Sequence, residues 1–216
     1  EQATVDALKT LEVCGCAQIP VFDGADMPLL HERSSVSQKM YGEWWSDDEP
    51  EMPPGGFAKR PPEGTTAVEF IVDTVLADPG EISILAIGPL TNIAMAIRQD
   101  PDFVKSVKKI YIMGGAIASL PQGGGNMTPN AEFNFWVDPE AARIVLRSGM
   151  RTELSPLNVS RTTAFKKGHF DQILEAGTPI TEFLRETMAS RFEERPEHKY
   201  LMYDQVAVAS LIDPSL

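Results

Sequence analysis

Two apolar runs constrain the fold of this chain more than any other feature of its sequence. Residues 82–87 are almost continuously apolar, and residues 107–113 are apolar from Ile110 onward. Both segments are shorter than ordinary buried helices. Such runs are typical of strands that are buried on both faces of a parallel sheet. Helical patterns at 66–77, 93–98 and 139–147 alternate with them. The alternation predicts an α/β fold, with an open, mainly parallel sheet and helices on both faces.

Weaker patterns extend this prediction towards both ends of the chain. Residues 19–22 are expected to form a short buried strand, and 152–157 are a candidate third strand of the sheet. Helical spacing of apolar residues occurs at 3–13, 170–176, 180–192 and 203–212. Because no repeat, linker or low-complexity tract interrupts the chain, we expect residues 1–216 to form a single domain.

The charge balance excludes some classes of partner. The chain has 31 acidic and 19 basic residues, a formal net charge of −12. Nucleic acid and anionic membranes both need a basic face, so neither is expected as a partner. No apolar run reaches the roughly 18 residues of a transmembrane helix. The two cysteines, Cys14 and Cys16, are too close in sequence for ordinary disulfide geometry. So few cysteines favour a reducing compartment, and we predict a cytoplasmic location.

A glycine-rich segment over 123–134 contains the most informative polar residues. Three glycines permit close approach of the backbone to a ligand, and Asn126, Glu132 and Asn134 follow them. A carboxylate can accept hydrogen bonds from two neighbouring hydroxyls, while an amide both donates and accepts. The set would suit a vicinal diol such as that of a ribose. The alternative is a glycine-rich turn with asparagine caps and a solvated glutamate, and composition alone does not separate the two.

Two oxygen donors are candidates for a cation site. Asp204 precedes an apolar helix, where the simpler interpretation is a helix N-cap. Its carboxylate would also suit a hard cation such as calcium. The carbonyl of Ile87 lies at a predicted strand end just before Gly88 and Pro89, where the ladder of hydrogen bonds stops. Water or backbone would be its usual partner.

Several aromatic side chains could stack on a flat base. They are Tyr41, Trp44, Trp45, Tyr200 and Tyr203. The alternative for the two tryptophans is that they anchor the long irregular segment 27–62, because disordered segments are poor in aromatic residues.

Four motifs, in this order and spacing, resemble the inosine/uridine-preferring nucleoside hydrolases. They are Leu85-Ala86-Ile87-Gly88-Pro89-Leu90-Thr91-Asn92-Ile93-Ala94, Ile112-Met113-Gly114-Gly115-Ala116, Gly125-Asn126-Met127-Thr128-Pro129 through Ala131-Glu132-Phe133-Asn134, and Val137-Asp138-Pro139-Glu140-Ala141-Ala142. The segments around 19–29 and 204–209 also resemble the family. The likeness extends over nearly the whole chain.

The resemblance implies a calcium-dependent N-glycosidase with a Rossmann-like core. It implies that a small-molecule ribonucleoside is hydrolysed to ribose and free base, as in purine and pyrimidine salvage. The Ile87 main-chain oxygen and Asp204 would bind Ca²⁺. The ribose contacts would be Asn126, Glu132, Asn134 and Met113, and Glu132 would also stabilise the cationic transition state.

The chain departs from the family pattern in three places. The aspartate-rich N-terminal motif, which carries most calcium ligands and the general base, does not occur in residues 1–216. We therefore expect a truncated domain that also lacks a C-terminal portion, is inactive by itself and associates as a homo-oligomer. Tyr203 stands where some members have a histidine acid, so we assign it to the leaving-group side. Tyr41 precedes Gly42 where the substrate loop often has His-Gly, so it is a candidate substrate contact.

Two other functions are compatible with these residues. One is a catalytically inactive nucleoside- or ribose-binding protein. The other is an unrelated α/β domain whose loops match by chance.

Overall fold

Residues 1–30, 39 and 49–215 are described by the computed structural model, and they form two compact units. The helical unit comprises Glu1–Asp23, Asp48–Thr65 and Ala164–Leu201. The sheet unit comprises Gly24–Asp47, Thr66–Thr163 and Met202–Leu216. That residues 1–216 form a single domain remains a prediction.

Helices and short strands alternate through the sheet unit. The strands are β1 (Ser83–Ala86), β2 (Lys109–Met113) and β3 (Thr152–Ser155). The helices of both units are numbered together in chain order, and α1, α8 and α9 belong to the helical unit. Their bounds are α1 (Gln2–Val13), α2 (Ala67–Ala77), α3 (Thr91–Gln99), α4 (Phe103–Ser106), α5 (Phe133–Val137), α6 (Pro139–Leu146), α7 (Leu157–Ser160), α8 (Lys167–Leu174), α9 (Pro179–Glu194) and α10 (Asp204–Ile212).

The three strands form a parallel sheet in the order β1-β2-β3. In its register, Ala86 lies beside Ile112, and Ile112 lies beside Leu154. Parallel pairing brings the carboxyl ends of all three strands to one edge of the sheet. The predicted α/β class and the parallel sheet are confirmed, and this edge is where ligands bind in open α/β sheets.

Alternating side chains of the strands pack against helices on opposite faces of the sheet. Ile110 and Ile112 are fully buried in a core cluster with apolar residues of α2, α3 and α6. Leu85 and Met113 point to the other face, where they pack in a second cluster with Ala207 of α10. Each fully buried aliphatic side chain contributes roughly 1.5–3 kcal/mol to the free energy of unfolding. Helices on both faces explain the runs of apolar residues in β1 and β2.

A buried carboxylate connects three segments of the sheet unit. Asp138 has no exposed surface, and its Oδ1 accepts from the N–H of Ala141 (3.0 Å) as the N-cap of α6. Its Oδ2 accepts from the Thr91 hydroxyl (2.7 Å) and from the Leu29 N–H (2.9 Å). The bond from Ala141 is local in the sequence, whereas the donors Thr91 and Leu29 are distant along the chain.

The helical unit is built around an aromatic cluster. The ring of Phe192 on α9 stacks on Phe170 of α8, and Tyr200 meets Phe192 edge-on, with centroid distances of 5.0 Å in both pairs. Two backbone hydrogen bonds join Phe165 to Tyr200 (2.7 and 2.9 Å). On α1, the buried ammonium of Lys9 donates to Glu12 and to the Gly55 carbonyl, both at 3.2 Å.

The strand expected at 19–22 does not form, so this prediction was wrong. The Val21 carbonyl accepts from the Glu63 N–H (2.8 Å), and the Ile19 side chain is about half exposed. An apolar run becomes a strand only where a neighbour provides a continuous ladder of hydrogen bonds. The short helices α4, α5 and α7 were not predicted either, since four or five residues carry too little periodicity to detect.

Among the residues that the structure describes, no helix has the length and apolar character needed to cross a bilayer.

We predict that Asp138→Ala lowers the free energy of unfolding by about 3–5 kcal/mol, because it leaves a buried hydroxyl, a partly buried N–H and a helix N-terminus without an acceptor. Urea titrations followed by circular dichroism measure this loss. The matched control is Asp102→Ala: Asp102 is also an N-cap, but its side chain makes no cap hydrogen bond, and the Lys105 pair is exposed. The control should change stability by less than about 0.5 kcal/mol. Equal losses in both variants would contradict the role of Asp138.

Candidate functional site

The candidate site lies at the carboxyl ends of β1 and β2. Asn134, on α5, is buried there, and its Nδ2 donates to the carbonyl (3.0 Å) and to the sulfur (3.3 Å) of Met113, the last residue of β2. The same nitrogen lies 3.5 Å from the carbonyl oxygen of Ile87, which follows β1. One amide group thus joins two of the predicted site residues and connects two strand ends.

The orientation of the Asn134 amide leaves its oxygen available. Nδ2 is engaged by the two strand ends, while Oδ1 has no hydrogen-bond donor within the part of the chain that the structure describes. Asn134 therefore presents an acceptor to a ligand at this edge. Met113 is almost fully buried, and its carbonyl and sulfur both contact this amide.

Glu132 is the N-cap of α5 as well as a candidate ligand contact. Its side chain is 3% exposed, and its Oε1 accepts from the Asn134 N–H (2.8 Å). Its Oε2 accepts from the N–H groups of Phe135 (3.1 Å) and Gly115 (3.0 Å). Three backbone donors hold the carboxylate rigidly between the end of β2 and the start of α5. Since Oε1 has one described donor, it retains a lone pair for a ligand.

Asn126 lies beside Glu132 in the glycine-rich loop. Its Oδ1 accepts from the Phe133 N–H (3.0 Å), so its side chain also covers the start of α5. Its Nδ2 has no acceptor among the described residues, and the side chain is exposed. The structure therefore brings Asn126, Glu132 and Asn134 together around one short helix, with one amide donor and two acceptors available.

Asp204 and Tyr203 complete the group of described site residues. Asp204 is half-buried, and burial raises the pKa of its carboxyl, with a smaller contribution from the charge of Glu132. The Glu132 effect shows that the two carboxylates are close enough to repel. Tyr203 packs with Met113 and Leu157 at the start of α10. Asp204 itself forms no side-chain cap of α10, so the simpler N-cap interpretation is not supported.

The chain segment that enters the predicted substrate loop is held by two family-motif residues. The Asn92 Oδ1 accepts from the Ala25 N–H (2.8 Å), and Asp138 accepts from the Leu29 N–H (2.9 Å). A Cβ at Gly24 would overlap the Asn92 side chain, which explains glycine at this position. Tyr41, Trp44 and Trp45 lie outside the described residues.

One aromatic candidate has another role. Tyr200 is part of the aromatic cluster of the helical unit, where its ring contacts Phe192 and His198. Its ring is engaged in packing there, and stacking on a base is not needed to explain it.

The oxygen donors of this site suit a hard cation, but they are few. The Asp204 carboxylate and the Ile87 carbonyl are oxygen ligands of the kind that calcium prefers. Burial, and to a smaller degree the charge of Glu132, raises the pKa of the Asp204 carboxyl. Within the described ranges, no group of three or more His, Cys, Asp or Glu side chains could hold a metal ion. These two residues could therefore provide only part of a six- to eight-fold coordination shell.

Two polar residues near the site escaped the sequence analysis. Asn158 on α7 and Arg161 just after it contact residues of the glycine-rich loop, which extends from Ala116 to Asn130, through their side chains. The only available signal was their position after a predicted strand, at the same edge of the sheet as the site.

Known proteins are similar to this chain along most of its length. A sequence model of the family described as inosine-uridine preferring nucleoside hydrolase matches residues 1–216. The chain is 33% identical over 210 residues to the pyrimidine-specific ribonucleoside hydrolase RihB of Escherichia coli O17:K52:H18, covering 94% of this chain and 64% of that protein. A putative RihB of Shigella dysenteriae serotype 1 is also 33% identical, with 74% of it covered.

Solved structures agree with the sequence matches. The plant nucleoside hydrolase PpNRh1 superposes with a TM-score of 0.80 at 31% identity, over 100% of this chain and 67% of that one. A purine-preferring ribonucleoside hydrolase from Gardnerella vaginalis superposes with a TM-score of 0.76 at 26% identity, over 100% of this chain and 68% of that one. The family model, the relatives and the fold lead to one conclusion: the chain belongs to the inosine-uridine preferring nucleoside hydrolase family.

Proposed function

We propose that the protein hydrolyses the N-glycosidic bond of ribonucleosides and releases ribose and free base, with calcium as its cofactor. The chain spans 64% of the length of the first relative named above. The activity is therefore a proposal for the whole protein, argued from the residues of this chain. The observation that supports it is the placement of Asn126, Glu132, Asn134 and Asp204 at one sheet edge.

The available hydrogen-bonding atoms match a ribose. A sugar hydroxyl can donate to the Oδ1 of Asn134 or the Oε1 of Glu132, and can accept from the Nδ2 of Asn126. Because Glu132 and Asn134 are already held by backbone groups, little ordering is needed when the sugar binds. A rigid set of two acceptors and one donor favours a diol over a single hydroxyl.

The Asp204 carboxylate and the Ile87 main-chain oxygen would hold the calcium ion. When bound, calcium lowers the pKa of a coordinated water and orients neighbouring hydroxyls. The remaining ligands would be water, the sugar hydroxyls and further protein oxygen atoms. A bound cation would compensate for the burial of the Asp204 carboxylate and, to a smaller degree, for its repulsion by Glu132.

Glu132 and Tyr203 are the proposed catalytic residues of this chain. Hydrolysis adds the hydroxyl of water to C1′, breaks the bond from C1′ to the base and leaves a proton on the departing base. Positive charge develops on the sugar as this bond breaks, and the adjacent Glu132 carboxylate stabilises it. We assign Tyr203 to the leaving-group side, where its hydroxyl would donate a hydrogen bond to the base.

The proposal extends to nucleosides with either kind of base. One relative is named pyrimidine-specific and one structural neighbour purine-preferring, so family membership does not choose between them. A cytoplasmic location and a homo-oligomer are further parts of the proposal. The scarcity of cysteine favours the former, and light scattering on the purified protein would measure the latter.

We predict that the full-length protein releases ribose from inosine or uridine, and that a calcium chelator abolishes the release. Adding calcium back should restore ribose release, because the oxygen ligands offered by Asp204 and Ile87 are of the kind that calcium prefers. A reducing-sugar assay measures the product. Ribose release that is unaffected by the chelator would contradict the role of calcium. Nucleoside binding without ribose release would instead favour an inactive binding protein. If the protein neither binds nucleosides nor releases ribose, the proposal is refuted.

We predict that Asn134→Ala lowers kcat/KM about 100-fold, because it removes the acceptor for the sugar and the amide that connects two strand ends. Steady-state kinetics with inosine and uridine measure the effect. Asn130→Ala is the matched control, since Asn130 is exposed in the same loop region and its side chain makes no described hydrogen bond. Near-normal activity of the Asn134 variant, or an equal loss in the control, would contradict the site assignment.

A further inference from the structure

The side chain of one arginine, Arg161, binds several backbone carbonyl groups of the glycine-rich loop. The Nη1 of Arg161 donates to the carbonyl oxygens of Gln122 (2.8 Å), Gly123 (3.1 Å) and Gly124 (2.7 Å), and its Nη2 donates to that of Gly125 (2.9 Å). Four consecutive carbonyl dipoles thus converge on one guanidinium. Without the cation they would repel one another, so the charge of Arg161 stabilises this loop conformation.

Asn158 holds the earlier part of the same loop. Its Oδ1 accepts from the Ile117 N–H (3.0 Å), and its Nδ2 donates to the carbonyls of Ile117 (3.1 Å) and Pro121 (2.9 Å). Asn158 is buried on α7, which follows β3, whereas the loop follows β2. We call Asn158 and Arg161 together the loop clamp. The loop clamp joins the segment that follows β3 to the loop that follows β2.

The loop conformation held by the clamp is one that the backbone does not favour by itself. Gln122 has a φ of 57°, in the left-handed region that a side chain disfavours, and Gly124 has a φ of 98°. The carbonyl oxygens of both residues are bonded by Arg161. The guanidinium therefore offsets the backbone strain at Gln122.

The clamp acts next to a proposed sugar ligand. Gly125, whose carbonyl Arg161 binds, directly precedes Asn126. The Gly125 N–H donates to Pro129 (2.9 Å), and the Asn126 N–H donates to Ala131 (3.0 Å). A Cβ at Gly125 would overlap the carbonyl oxygens of Thr128 and Ala131, so the backbone around Gly125 is closely packed. A displacement at Arg161 would consequently move Asn126.

We propose that Asn158 and Arg161 are positioning residues, which set the place of Asn126 and thereby the affinity for the sugar of the substrate. This rests on the proposed function, in which Asn126 donates to a ribose hydroxyl. Neither residue touches the substrate. The clamp leaves the Glu132 carboxylate alone, because that group is held separately by Gly115 and the start of α5. Loss of the clamp should therefore weaken sugar binding more than it slows the chemical step.

The test compares four variants of the full-length protein. Arg161→Ala removes all four bonds to the loop, and Arg161→Lys keeps the charge but not the fork of donors. Asn158→Asp keeps the acceptor for Ile117 and loses both donations. Arg147→Ala is the matched control, since Arg147 is exposed in the sheet unit and its side chain makes no described hydrogen bond.

Three quantities are measured in each variant: KM and kcat for inosine and uridine, affinity for ribose by calorimetry, and hydrogen exchange of the Gly125 and Asn126 amides. We expect Arg161→Ala to raise KM and the ribose Kd on the order of tenfold, with a smaller fall in kcat and faster exchange at both amides. Arg161→Lys should recover part of the affinity. Asn158→Asp should lie between wild type and Arg161→Ala, and Arg147→Ala should match wild type.

Each outcome supports or overturns the proposal. Unchanged KM and ribose Kd in Arg161→Ala, with wild-type activity present, would overturn it and leave the proposed function intact. A lower Tm with unchanged KM well below that Tm would reduce the clamp to a stabilising contact and overturn it too. If the wild type neither binds nor hydrolyses nucleosides, the proposed function itself fails and the positioning role fails with it.

Discussion

The sheet unit depends on one carboxylate that has no exposed surface. Asp138 would be costly to bury as a lone charge, but it accepts hydrogen bonds from Leu29, Thr91 and Ala141, which belong to three different segments. These bonds fix where α3 and α6 begin and where the segment before residue 30 runs. The site residues are attached directly to these elements, since α5 ends at the residue before Asp138.

Glu132 repeats the same arrangement at the site itself. It caps α5 and binds the Gly115 N–H at the end of β2, so one carboxylate both builds the site and remains partly available to a ligand. This dual use is a physical form of preorganisation: the backbone donors hold the charge in place before any sugar arrives. It also places Glu132 near Asp204, and the resulting repulsion is what a bound cation would relieve.

Much of the fold could be predicted from sequence, and the reasons can be given residue by residue. The apolar residues within 82–87 and 107–113 predict buried strands, because helices cover a parallel sheet on both faces. The strands β1 and β2 confirm this prediction. The prediction of a strand at 19–22 was wrong, because a strand needs a neighbouring strand to pair with. A local sequence pattern does not reveal whether that neighbour exists. The structure brings Asn126, Glu132 and Asn134 together around α5, while Tyr41 lies outside the described residues.

The sequence by itself determined the class of the fold, the order of its elements and the residue types offered to a ligand, because periodicity and motif spacing are properties of neighbouring residues. Only the tertiary structure decided which atoms of those residues remain available. Asn134 uses its nitrogen on two strand ends, Asn126 uses its oxygen on α5, and Arg161 reaches four carbonyls from a different strand end. Hydrogen bonds between segments distant in the chain make these choices, and their partners are defined only once the sheet has formed.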